Sequence, residues 1–181
     1  MNNIALVFPG QGSQYVGMTK DFLSSGLSYF GDYFRKASDI FEIDLLSYCH
    51  NGPDNDLNST YIAQPAILIH SILINKILEF NKLNIKAVSG HSLGEYSALV
   101  SAGVLSLDDC LKILKVRCSE MQKANEKYKG AMLAVIHHDL NLIEQVCDNL
   151  YNTVIANINS DNQIIISGPS DQIKKSIKLF K

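Results

Sequence analysis

In residues 85–104, IKAVSGHSLGEYSALVSAGV, a short apolar run passes through Gly90-His91-Ser92-Leu93-Gly94 into a helix of small residues. Few local patterns constrain a chain so strongly. The run is a strand, the turn is sharp, and the helix folds back over the sheet that holds the strand. Glycines two before and two after the serine let strand and helix approach closely. The pattern predicts an α/β domain.

The turn has two readings. Ser92-Leu93-Gly94-Glu95 is a capping box, and Ser106 with Asp109 repeats the arrangement with no hint of chemistry. G-x-S-x-G is also the form of a nucleophile elbow, with the serine on a strained turn beside the free N–H groups of a helix start. The position directly after an apolar strand favours the elbow. A serine hydroxyl is a poor nucleophile until a base takes its proton, so this reading requires a base elsewhere in the chain.

Residues 3–8 read as a short buried strand, broken by PGQGSQ, with a helix from about Thr19. Helices are predicted over 28–41, 43–51, 64–80, 92–104 and 106–125, and a strand over 85–90. GPDND stops the second helix. Pro65 is placed in the first turn of the third, where its missing N–H costs nothing. After EKYKG the texture changes to strands at 131–136, 153–158 and 163–168, with helices at 139–150 and 170–181. The order β-α-β-β-α is a ferredoxin-like unit lacking its final strand. The expected organisation is a large α/β subdomain over 1–125 and an incomplete ferredoxin-like small subdomain over 126–181.

Lys and Arg number 16 against 18 Asp and Glu, a net charge of −2. That balance leaves no basic footprint for nucleic acid. Cys49, Cys110, Cys118 and Cys147 are scattered without a C-x-x-C pair, and no two histidines have metal-ligand spacing. A reduced cytoplasmic chain without a metal site or bound cofactor is expected. The N-terminus lacks a basic segment before its apolar run, so it is no secretory signal. AILIHSILINKILEF carries His70 and Lys76 and is too short to span a bilayer.

PGQGSQ is not a phosphate loop, because it fits neither G-x-x-x-x-G-K-[ST] nor G-x-G-x-x-G. In an elbow enzyme such a loop gives one backbone N–H to the oxyanion hole, and the residue after the serine gives the other. Leu93 and a residue of 10–13 fit those roles. Arg117 borders an apolar stripe of Cys110, Leu114, Cys118 and Met121. Such an arginine snorkels, pairs with an internal carboxylate, or grips the carboxylate of a substrate in its bidentate fork. Gln64 before Pro65 predicts only a turn. His70 reads as a satisfied core histidine, His50 as a helix-end residue, and His137 and His138 as exposed.

FPGQGSQ, AQPAIL, GHSLGEYSALV, VRCSEMQ, GAM and ANINSDNQIIISG follow one another in the order found in malonyl-CoA:acyl-carrier-protein transacylases. The sequence resembles that family over its whole length, and the two glycine blocks together are highly specific. The resemblance implies a hydrolase-like three-layer α/β core with an inserted ferredoxin-like domain. It implies ping-pong transfer of malonyl from malonyl-CoA to the phosphopantetheine thiol of acyl carrier protein, in fatty acid synthesis. Ser92 carries the acyl group, the Gln11 and Leu93 N–H groups form the oxyanion hole, Arg117 pairs with the malonyl carboxylate, and Met121 lines the pocket. Methylmalonyl or another dicarboxylic acyl group would suit Arg117 equally. A serine esterase would share the elbow but would not need Arg117.

Members of that family run on past the position of Lys181. Their catalytic histidine follows the last strand of the small domain, and a later glutamine orients it. By that pattern this chain is truncated before its base. It is expected to be inactive or severely impaired alone, and to expose sheet edges. The competing reading is a non-catalytic remnant that retains affinity for CoA or carrier protein.

Overall fold

Ile4–Phe8 (β1) and Ile85–Gly90 (β2) form a parallel pair, aligned Leu6 to Val88 and Phe8 to Gly90. The computed structural model describes residues 3–24, 29–136 and 139–180. They divide into two compact units, Met1–Gln122 and Lys123–Lys181.

In the first unit the helices are Lys20–Ser24 (α1), Phe30–Phe41 (α2), Leu45–Asn51 (α3), Asp54–Leu57 (α4), Thr60–Phe80 (α5), Gly94–Ser101 (α6) and the larger part of Leu107–Lys127 (α7). α2 forms because Phe30, Phe34, Ala37 and Phe41 fall on one helical face, and all four are buried. Phe30 stacks on Phe34 at 4.9 Å and on Phe22 at 5.5 Å. These rings, with Leu45, Leu57, Leu68, Leu73, Leu111 and Leu114, make the core, with α5 running through it. α6 packs on both strands and on α5. The opposite sheet face, Ala5, Val7, Ala87 and Ser89, is exposed, with Val7 at 76%.

Three local expectations are corrected. The third predicted helix starts at Thr60, so Pro65 lies inside it rather than in its first turn. The added turn gives α5 21 residues, long and apolar enough to cross a membrane, contrary to the length estimate. Two-thirds of that stretch (67%) is buried within the protein itself, as a core helix is. GPDND does not only break the chain, because Asp54–Leu57 forms a short helix that buries Leu57.

The second unit contains Gly130–Ile136 (β3), Leu140–Asp148 (α8), Val154–Ser160 (β4), Gln163–Pro169 (β5) and Ser170–Leu179 (α9). The sheet order is β3-β5-β4, antiparallel throughout. The third strand lies between the first and second, as the β-α-β-β-α ferredoxin-like reading requires. Val135, Ile164 and Ile166 pack against Ile143 and Cys147 of α8 and Ile173 of α9. On the other face Met132, Ala134 and Ile136 are exposed, in the two-residue alternation of a strand with one covered face. Asp139 caps α8 by accepting from the Asn141 N–H at 2.7 Å.

Candidate active site

The turn between β2 and α6 is held by main chain. The His91 N–H donates to the Phe8 carbonyl at 3.1 Å, which ties the end of β2 to the end of β1. A Cβ on Gly90 would lie 2.0 Å from the Gly94 carbonyl carbon, and one on Gly94 would lie 2.1 Å from the Phe8 carbonyl oxygen. No side chain fits at either position. Between them Ser92 takes φ 53°, a left-handed conformation that costs a non-glycine residue about 1–2 kcal/mol.

This geometry corrects the capping reading. α6 begins at Gly94 with Leu93 as its N-cap, and no side chain caps it. The Ser92 hydroxyl is free of cap duty and exposed. Its hydrogen-bond partner is Arg117, whose Nη2 donates to Ser92 Oγ at 3.1 Å. Ser106 does cap its helix, although the Asp109 side chain engages the Ser106 hydroxyl rather than the backbone N–H of a full capping box. The Asp109 N–H donates to Ser106 Oγ at 3.1 Å, and that hydroxyl donates to the Asp109 carboxylate at 2.7 Å.

α7 brings Arg117 to the serine. The half-buried guanidinium sits 5.7 Å from the centre of the Tyr96 ring. Its Nη1 donates to Gln64 Oε1 through a very short bond. Gln64, 1% exposed, also accepts from Cys118 Sγ at 3.3 Å. Its amide nitrogen faces Gln11 Oε1 and Met121 Sδ, each at 3.4 Å. Gln11 Nε2 in turn donates to Thr60 Oγ1 at 3.3 Å. Burial pushes the Cys118 thiol up to about 11, against the opposing pull of Arg117, so the thiol stays protonated and donating. Gln11, Arg117 and Met121 therefore converge on one amide that sequence reasoning left as a turn residue, and Ser92 is linked to it through Arg117. The available signal was a polar residue inside the unbroken buried stretch of 62–69.

The PGQGSQ loop lies beside the elbow. A Cβ on Gly10 would stand 2.9 Å from the His91 carbonyl oxygen and 3.1 Å from His91 Nδ1, so the His91 ring lies against this loop. Gly12 has φ 107°. Its N–H donates to Gln14 Oε1 at 2.8 Å, and Gln14 is tied to Asn58 at 2.6 Å. Among the described residues, neither the Leu93 N–H nor the Gln11 N–H donates to a protein acceptor.

No histidine among the described residues hydrogen-bonds to Ser92. His50 Nδ1 is 3.2 Å from Thr19 Oγ1. His70 packs edge-on to Phe22 at 4.9 Å, but its Nδ1 is buried without a hydrogen-bond partner, so it is not the satisfied core histidine expected. His137 and His138 lie outside the described residues. Among the described residues no three His, Cys, Asp or Glu side chains are grouped to hold a metal ion.

The acyl transferase domain family matches residues 5–181. The chain belongs to that family. It is 38% identical over 186 residues to the malonyl CoA-acyl carrier protein transacylase of Haemophilus influenzae, covering 100% of this chain and 59% of the relative. To the Escherichia coli K12 transacylase it is 36% identical over 180 residues, covering 97% of this chain and 58% of that protein. The acyltransferase fold is shared with solved structures as well. A malonyl transacylase in complex with its type II polyketide acyl carrier protein superposes with a TM-score of 0.90 at 33% identity, over 99% of this chain and 59% of its own. The Xanthomonas oryzae enzyme gives 0.88 at 36% identity, over 97% and 57%. This acyl transferase chain thus spans a little under 60% of the length of each of these four relatives.

Proposed function

We propose that this chain carries a malonyl group from malonyl-CoA to the phosphopantetheine thiol of acyl carrier protein, as an ester on Ser92, in cytoplasmic fatty acid synthesis and with no bound cofactor. The observation that carries this reading is the Arg117 guanidinium 3.1 Å from Ser92 Oγ. A cation fixed beside a nucleophile binds an acyl group that brings its own carboxylate. A neutral acyl group leaves that cation unpaired.

In the first half-reaction Ser92 Oγ attacks the thioester carbonyl. The C–S bond breaks, and the CoA thiolate leaves and takes up the serine proton. In the second, the carrier-protein thiol attacks the Ser92 ester, the C–O bond breaks, and the serine regains a proton. The N–H groups of Leu93 and Gln11 hold the carbonyl oxygen as it becomes an oxyanion, and one such donor is worth about 10²–10³ in rate. Met121 lines the pocket. Arg117 takes the distal carboxylate, and the same contact suits methylmalonyl.

Ser92 is bonded only to Arg117 among the described residues, and a guanidinium accepts no proton. The 181-residue chain by itself is therefore proposed to acylate slowly. Intact-mass measurement during incubation with malonyl-CoA tests both statements. The expected result is one malonyl adduct per chain, formed over many minutes, released by hydroxylamine and missing in Ser92→Ala. An adduct on Ser92→Ala would refute the nucleophile. Rapid multiple turnover to carrier protein would refute the slow acylation.

A further inference from the structure

We infer that Gln64 is the positioning residue that aims Arg117 at the acyl carboxylate, and that it sets the preference for a dicarboxylic over a neutral acyl group. The inference rests on the Ser92 acyl-enzyme reading.

Arginine offers only donors, so the bond from Nη1 fixes the Gln64 carbonyl oxygen toward Arg117. The Cys118 thiol donates to that same oxygen at 3.3 Å, and its high pKa keeps it a donor at any working pH. The amide nitrogen is thereby turned toward Gln11 and Met121. Both ends of one buried amide are in use, one on the cation and the other on the loop that supplies an oxyanion N–H. Gln64 itself sits near the N-terminal end of α5, within its continuous buried stretch of 62–69.

An arginine on the half-exposed edge of α7 would otherwise sample many rotamers and lose that freedom when a carboxylate arrives. With Nη1 held, Nη2 points where Ser92 Oγ now lies. The side chain at 64 must also be neutral. A glutamate would accept from Arg117 at least as well, but it would cancel the charge that the acyl carboxylate needs. Glutamine orients the guanidinium and leaves its charge unspent.

Titration calorimetry of malonyl-CoA and acetyl-CoA on the 181-residue chain tests this, with Gln64→Glu, Gln64→Met and Arg117→Ala beside the wild type. In each variant malonyl-CoA binding should weaken about tenfold or more, the scale of one buried bond to a charged group. Acetyl-CoA binding should change little. Gln64→Met is an apolar near-isostere suited to a buried position, so it stands in if the glutamate variant does not fold. General damage to the fold would weaken both thioesters alike and overturn the inference. It also falls if both Gln64 variants keep the malonyl preference while Arg117→Ala loses it, in which case the carboxylate reading of Arg117 survives. A wild type that binds both thioesters equally refutes the carboxylate reading and the Gln64 inference together.

Discussion

The left-handed backbone of Ser92 has a thermodynamic signature separable from its chemistry. Ser92→Ala and Ser92→Gly both delete the hydroxyl, and both lose the 3.1 Å contact with Arg117. They differ in how well they tolerate φ 53°. Alanine retains the ~1–2 kcal/mol penalty of a Cβ in that region. Glycine escapes it but gives the unfolded chain ~0.4–1 kcal/mol more freedom to lose. The balance favours the glycine variant by about 0.5–1 kcal/mol. For a chain of 181 residues that corresponds to a melting temperature higher by about 2–4 °C for each kcal/mol. Paired thermal melts followed by circular dichroism, with urea titration of the same samples, measure the difference. If Ser92→Ala proves as stable as Ser92→Gly, the turn relaxes without cost and the strained elbow is refuted.

Other consequences can be checked more briefly. Gly94→Ala must displace the Phe8 carbonyl, because its Cβ would stand 2.1 Å from that oxygen, and backbone cannot swing away as a side chain can. Destabilisation of at least about 1–3 kcal/mol is expected in urea, and a neutral result would mean that the contact is soft. His70 is held below its usual pKa by burial, with the Asp21 carboxylate partly opposing. The unfolded chain therefore takes up this proton first. The contribution is complete above about pH 6.5 and is lost as the pH falls toward the lower folded value. Melting temperatures of the wild type should fall more steeply over that window than those of His70→Gln, and parallel slopes would dismiss the effect. All four cysteines are buried, and burial raises every thiol, Cys49 and Cys110 to about 12. A thiol reagent at pH 8 should count almost none before denaturation and four after it. Rapid labelling of the native chain would contradict the packing.

Much of this architecture is written in local patterns. Phe30, Phe34, Ala37 and Phe41 announce α2 by spacing, and the short apolar run AMLAVI at 131–136 announces β3. Two glycines around a serine announce the elbow. The errors arise where distant contacts override a local signal. Ser92 looked like a cap because its neighbours spell a capping box. The contact between Gly94 and β1 instead bends the turn so far that the helix starts two residues later. Pro65 looked like a helix start, because nothing nearby reveals that the turn from Thr60 to Gln64 is stabilised by burial. Gln64 itself was legible only as a turn residue before Pro65. Its partners lie 53 to 57 positions away in the chain, and no spacing rule reaches so far.

The contact between Gly94 and the Phe8 carbonyl also bears on how this region can vary. A joint made of main chain has no rotamers to rearrange. Core side chains in α2 or α5 can be exchanged for others of similar volume, and the strain spreads among many small adjustments. None of those adjustments is available where carbonyl meets glycine. The Ser92 oxygen is thus located by backbone that cannot repack, while Arg117 and Gln64, proposed above to select the acyl group, act through side chains that can be changed one at a time.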